Sequence, residues 1–207
     1  MSRVSTGTCQ LCKRQTSKSQ MTRHVLGCAA EHDASGAREA IVQLRVDADG
    51  DSRYWLYLEA QASAPLKQLD AQLRRTWLEC CGHMSAFRAG TSELSMSTKL
   101  GAALPRKGAS FCYEYDFGST TALVGQVIGT RNGCLGRARV RLLARNDPID
   151  WRCANCSSPA VFICPFCIYE GDCLFCKAHA EDHPCAEEEV YLPVVNSPRM
   201  GVCGYVG

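Results

Sequence analysis

Ile41-Val42-Gln43-Leu44-Arg45-Val46-Asp47-Ala48-Asp49-Gly50-Asp51-Ser52-Arg53-Tyr54-Trp55-Leu56-Tyr57-Leu58 reads as two strands joined by a tight turn. Ile41, Leu44 and Val46 mark the first strand and Tyr54 to Leu58 the second. The Asp- and Gly-rich run between them reverses the chain, which makes a hairpin. Downstream, Pro65 suits the first turn of a helix, with Ser63 as its cap. Leu66, Leu69, Leu73, Trp77 and Leu78 then recur at helical spacing on one face, and Gly82 ends the run. Residues 89–108, rich in Gly, Ser, Thr and Ala, read as a long loop. Three strand-like segments follow, Phe111 to Tyr115, Thr120 to Thr130 and Ala138 to Ala144. The order ββα then βββ predicts an α+β domain over residues 37–146, with a helix packed on an antiparallel sheet.

Both flanks of that domain are dominated by cysteine. The chain has 207 residues and 15 cysteines. It contains no run near the ~18 apolar residues of a membrane span, and its first residues lack an apolar export signal core. A cytoplasmic location with no membrane partner is therefore expected, where thiols stay reduced or bind metal. Cys9-Cys12, Cys153-Cys156, Cys164-Cys167 and Cys173-Cys176 all have the C-x2-C spacing, which lets one turn present two thiolates to one ion. Structural zinc, three ions in all, is the implied cofactor, and no small-molecule cofactor is expected. The net charge of +2 hides an asymmetry. Residues 1–30 carry five basic side chains and no acidic one, whereas residues 151–207 carry three basic against seven acidic. The two ends thus present different potentials to partners.

Residues 1–30 form a finger in which Cys9, Cys12, His24 and Cys28 are the ligands, His24 and Cys28 sharing one helix face. The spacing resembles the C2H2 finger with Cys28 in place of the second histidine, and Thr16 stands where such fingers carry a core aromatic. By that resemblance Ser17, Gln20 and Arg23 face nucleic-acid bases while Lys13, Arg14 and Lys18 face phosphates. The other reading is a structural cap or a knob that docks on protein. His32 is an alternative to Cys28 as ligand.

Residues 151–207 hold few apolar side chains for a core, so they fold around metal. Cys153, Cys156, Cys164, Cys167, Cys173, Cys176, His183 and Cys185 make four pairs, the pattern of a cross-brace of two ions. The module resembles AN-one-type or MYND-like zinc fingers. That resemblance implies one site of Cys153, Cys156, Cys173 and Cys176 and another of Cys164, Cys167, His183 and Cys185. The family has a histidine where this chain has Cys176, which leaves His179 as a replacement for Cys176 or a residue behind the ligands. Eight ligands for two ions leave no open coordination position for catalysis. The tail after Tyr191, broken by Pro193 and Pro198, is expected to run extended.

In the middle domain, Phe111-Cys112-Tyr113-Glu114-Tyr115-Asp116-Phe117-Gly118-Ser119 is the most distinctive stretch. It resembles the hallmark of the plasmid pRiA ORF-three-like family, also labelled the passenger TnpR-like protein of an insertion element. The resemblance covers about residues 38–145 and the closing Asn196 to Tyr205, and it implies a fold and a setting among mobile elements rather than a reaction. Asp116 and His83 are the candidate acid/base pair of an enzyme; as structural residues they would cap a turn and follow a helix. Arg137, Arg139 and Arg141 alternate along one strand face, either as a phosphate-binding stripe or as a solvated surface. Three functions are therefore expected, in this order: a non-enzymatic zinc-stabilised protein that binds nucleic acid or joins a nucleoprotein complex, a protein adaptor working through the acidic module, and an enzyme using Asp116 and His83.

Overall fold

The computed structural model describes residues 5–169, 171–185 and 191–207. The three segments expected from composition fold as two compact units. One spans the chain up to Arg75 together with Met84–Asp147, and the other comprises Thr76–His83 and Pro148–Gly207.

The first unit is a nine-stranded antiparallel sheet with helices, an α+β architecture as expected. In chain order its elements are β1 (Thr6–Cys9), β2 (Gln15–Ser17), α1 (Lys18–Glu31), β3 (Glu39–Ala48), β4 (Asp51–Gln61) and α2 (Leu66–Leu73). A π-helical turn (Arg74–Leu78) leads out of α2, and β5 (Ser85–Ala89), β6 (Ser92–Leu94), α3 (Leu100–Ala103), β7 (Ser110–Tyr115), β8 (Thr121–Gly133) and β9 (Val140–Asn146) follow. The strand order is β2-β1-β9-β4-β3-β8-β7-β5-β6. The β3–β4 hairpin lies near its centre and turns at Asp49-Gly50, where Gly50 takes φ +82°. Residues Tyr54 to Gln61 of β4 are buried without interruption, so both faces of this strand are covered.

Three differences from the sequence reading have local causes. The residue 89–108 loop contains β6 and α3, elements of three and four residues, too short to show a period. The expected single helix ends at Leu73 and widens into the π turn, which buries Trp77 and Leu78 together. Pro65 occupies the N-cap of α2 without a side-chain cap, and Ser63 Oγ donates to Glu39 instead, at 2.8 Å.

The finger is part of the large sheet. β1 pairs with both β2 and β9, and the carboxylate of Asp147 accepts hydrogen bonds from Thr6 (2.9 Å), Thr8 (2.7 Å) and Gln15 (2.6 Å). On α1, Met21, Val25, Cys28 and Ala29 pack with Trp55, Tyr57, Ile128 and Leu143 of the sheet. The missing finger aromatic is thus supplied by β4. Gly7 is required by this packing: a Cβ there would lie 2.2 Å from the Trp55 ring and 2.3 Å from the carbonyl of Arg145.

The second unit has β10 (Phe162–Ile163), β11 (Leu174–Phe175), α4 (Lys177–Glu181) and β12 (Leu192–Pro193), with β10 central in a three-stranded sheet. The tail is extended at β12, which pairs with β10, and then turns through Ser197 to Tyr205. Among the described residues, no helix is long and apolar enough to cross a membrane.

Candidate metal centres

Cys9 and Cys12 are presented by the turn after β1, which closes through hydrogen bonds from Lys13 N to Cys9 O (3.0 Å) and from Cys9 N to Arg14 O (2.9 Å). Lys13 takes φ +64°, which lets both thiols face α1. From α1 come His24 and Cys28, one helical turn apart. Cys9 Sγ lies 3.9 Å from Cys28 Sγ, and Cys12 Sγ lies 3.2 Å from His24 Nε2. All four donor atoms fall within 4.8 Å of one another. His32 is outside this cluster: it caps α1, and its Nδ1 lies 2.9 Å from the carbonyl of Cys28.

The second unit carries two interleaved clusters. Cys153, Cys156, Cys176 and His179 form one, and Cys164, Cys167, His183 and Cys185 the other. Cys156 Sγ is 3.9 Å from Cys176 Sγ, and His179 Nδ1 is 3.5 Å from Cys153 and 3.3 Å from Cys176. In the other, Cys167 Sγ is 3.4 Å from His183 Nε2 and 4.0 Å from Cys185 Sγ. The two clusters interleave along the chain, and His179 rather than the expected Cys173 lies with Cys153, Cys156 and Cys176. Cys176 is the N-cap of α4 and His179 lies in its first turn, so both side chains reach the same point. Cys173 instead packs with Ile163 and Met200 in an apolar cluster, and burial pushes its thiol upward. His183 is held by aromatic neighbours, its ring centroid 4.4 Å from that of Phe175.

A fourth cluster lies outside the expected set. Cys80, Cys81, His83 and Cys203, all in the second unit, bring their donor atoms within the same 4.8 Å. The sequence held little sign of it, because Cys203 is 120 residues from His83 and neither belongs to a C-x2-C pair.

The spacings test what these clusters can hold. A disulfide needs S–S of about 2.05 Å, far shorter than the 3.7 to 4.0 Å found. Thiolates each ~2.3 Å from a tetrahedral ion would lie about 3.8 Å apart, and thiolate and imidazole about 3.5 Å. The observed separations fit co-ligands of one ion. Burial, with Cys12 and Cys9 alongside, pushes Cys28 up to about 12, and burial with Cys164 and Cys185 does the same to Cys167, also to about 12. Cys153 goes the other way: burial raises it, but backbone hydrogen bonds from Cys176, Asn155 and Cys156 bring it down to about 6. The neighbouring thiols Cys153 and Cys156 raise His179. Metal binding to such crowded thiols releases protons.

The basic residues separate into two groups. Arg14, Thr16, Gln20, Arg23 and His24 line one open groove of about 320 Å³ on the finger. Lys13, Arg14, Gln20 and Arg23 are exposed, and so are Arg137 and Arg139. Lys18 instead pairs with Asp47 at 2.6 Å and donates to the carbonyl of Ser52 at 2.9 Å. Ser17 occupies the N-cap of α1 without a side-chain capping bond, its hydroxyl instead 3.1 Å from that of Ser19. Arg139 donates to Gln61 Oε1 at 2.7 Å. The expected stripe does not include Arg141, whose guanidinium pairs with the fully buried Glu59 and donates to the carbonyls of His32 and Ala29. Glu59 also meets Arg131 at 2.9 Å, and Arg131 meets Asp33 at 2.8 Å. Alternation along a strand predicted a shared face but not an acidic partner waiting on it.

The proposed acid/base pair is engaged elsewhere. Asp116 is buried at φ +65° and its carboxylate accepts the Gly118 N–H at 3.0 Å, as a turn residue does. His83 Nε2 lies 3.0 Å from Cys81 Sγ and 3.1 Å from Cys203 Sγ, inside the fourth cluster.

No family model and no curated protein matches the chain. Among solved structures it is similar to the crystal structure of a protein of unknown function from Methanosarcina mazei Go1. The likeness has 14% identity, covers 51% of this chain and 67% of that one, and has a TM-score of 0.43.

Proposed function

We propose that this chain is a zinc-stabilised, non-enzymatic binding protein whose finger surface engages nucleic-acid phosphates. The observation that carries this reading is the groove in which Arg14 and Arg23 converge beside Thr16, Gln20 and His24. Two guanidiniums beside the Gln20 amide, whose Oε1 accepts from the Thr16 hydroxyl, suit a phosphate flanked by a sugar or base edge. Residues 1–30 have no acidic side chain to oppose such contact. Exposed Lys13, Arg137 and Arg139 would add diffuse attraction, while Lys18 and Arg141 are spent within the fold. Zinc is the ion that thiolate–imidazole donors at tetrahedral spacing suit best. A setting among mobile elements rests only on the likeness of Phe111–Ser119 to the pRiA ORF-three-like hallmark, and no family model matches the chain.

Fluorescence anisotropy with labelled duplex DNA, single-stranded DNA and RNA at several salt concentrations tests the reading. Binding is expected to weaken with salt, and Arg23→Ala to reduce the log–log salt slope by about one. Wild-type protein with no salt-sensitive binding to any of the three would overturn it.

A second reading is favoured by a different observation. In the double-cluster module Tyr169 is 83% exposed, Phe166 53% and Val161 46%. Large apolar side chains held at the surface of a metal-braced module suit a protein partner. Tyr169→Ala with Phe166→Ala would then remove a partner recovered by the wild type and leave anisotropy with nucleic acid unchanged.

A further inference from the structure

We infer that Cys80, Cys81, His83 and Cys203 form a fourth zinc site, a clasp that ties the chain's closing turn to the segment after the π-helical turn. Three thiols and one imidazole are the donor set of a closed structural zinc site. Cys81 Sγ lies 3.8 Å from Cys80 Sγ and 3.7 Å from Cys203 Sγ, near the ~3.8 Å edge of a zinc–thiolate tetrahedron. His83 Nε2 lies 3.0 Å from Cys81 Sγ and 3.1 Å from Cys203 Sγ, which completes the group without a large movement.

The backbone on both sides is shaped to make this convergence. Gly82 takes φ +81°, and its N–H donates to the Glu79 carboxylate at 2.7 Å, so the chain turns sharply between Cys81 and His83. Cys203 takes φ +50°, a left-handed conformation that a residue with a Cβ seldom adopts. It is held there by successive turns: Val202 N donates to Arg199 O at 3.1 Å and Tyr205 N to Val202 O at 3.0 Å. The tail is already anchored by Ser197 Oγ, which donates to the carbonyl of Trp77 at 2.5 Å, and by fully buried Arg199. Two rigid supports therefore deliver the ligands, and an ion joining them closes a long loop of chain. The site is the most open of the four clusters: Cys81 and Cys203 are both exposed, against Cys12 alone in the finger and no exposed ligand in the other two.

That exposure makes the test direct. Unmetallated, these thiols would react rapidly with iodoacetamide; as zinc ligands they would be protected. Exposed Cys112, which belongs to no cluster among the described residues, serves as an internal control. Native mass spectrometry of the purified protein is expected to show four zinc ions, falling to three in Cys203→Ser and in Cys81→Ser. Alkylation of the native wild type should label Cys112 and leave Cys80, Cys81 and Cys203 unlabelled until a chelator is added. Three zinc ions in the wild type, with Cys81 and Cys203 labelled as fast as Cys112, would overturn the proposal. So would protection that survives the chelator and yields only to a reductant, which would mean a disulfide. Because the alkylation experiment uses unmodified protein, it decides the matter even if a variant fails to fold.

Discussion

The finger at the start of the chain and the module at its end use the same donors, thiolate and imidazole, but they rest on different supports. In the finger, α1 sets Met21 and Val25 against Trp55, Tyr57 and Leu143, and β1 is hydrogen-bonded into a nine-stranded sheet. Its candidate metal ligands decorate a core that exists for other reasons. In the module the strands are two residues long, and one core cluster consists of Cys153, Cys164, Phe175 and Ala180 with further cysteines packed around them. There the candidate ligands make up one core cluster, beside a small apolar one of Ile163, Cys173 and Met200. Identical coordination chemistry can thus be peripheral in one region and decisive in another, according to how much apolar surface the neighbouring chain buries.

The sharpest way to break this comparison is to remove one ligand from each region. Structural zinc is worth on the order of 10 kcal/mol at neutral pH, so Cys164→Ser should unfold the module, seen as lost amide protection over residues 153–185. Cys28→Ser should leave α1 docked and protected. Next in size is the Glu59 network of the first unit. Glu59→Ala strands the guanidiniums of Arg131 and Arg141 and should cost about 3–5 kcal/mol, read from urea unfolding of the sheet. Gly7→Ala, which forces a methyl against Trp55 and a backbone carbonyl, should cost about 1–3 kcal/mol by the same measurement. Within the module, His179→Ala should lose one zinc by elemental analysis whereas Cys173→Ser keeps the full complement, because only the former is in a cluster. The smallest effect is on acid sensitivity. Burial raises the Asp33 carboxyl, but Arg131 and the Cys134 backbone more than offset this and hold it below its ordinary value. Its contribution is therefore present above the unfolded carboxylate range and lost as pH falls through the lowered value. Asp33→Asn should flatten the acid limb of a pH–stability curve and weaken stability most near neutrality.

Much of this was legible in local spacing. The hairpin from Ile41 to Leu58 declared itself by alternation around Asp-Gly, and the Cys9-to-Cys28 set by turn-plus-helix spacing. What was not legible depended on partners distant in sequence. Thr16 looked like a gap in the finger because Trp55 and Tyr57, which fill it, belong to another element. Arg141 looked like a surface cation because Glu59 is 82 residues away. Cys173 imitated a ligand by its spacing from Cys176, yet its side chain turns to Ile163, and His179 supplies the fourth donor through α4. Cys203 carried no metal-ligand spacing at all.

Hydrogen–deuterium exchange of the intact protein, with zinc and then with excess chelator, tests the central contrast most directly. The account predicts that residues 153–185 lose their protection on chelation while β3, β4, β8 and the Met21–Ala29 part of α1 keep theirs. Loss of protection across α1 and the nine-stranded sheet in step with the module, or full protection of the module without metal, would contradict it.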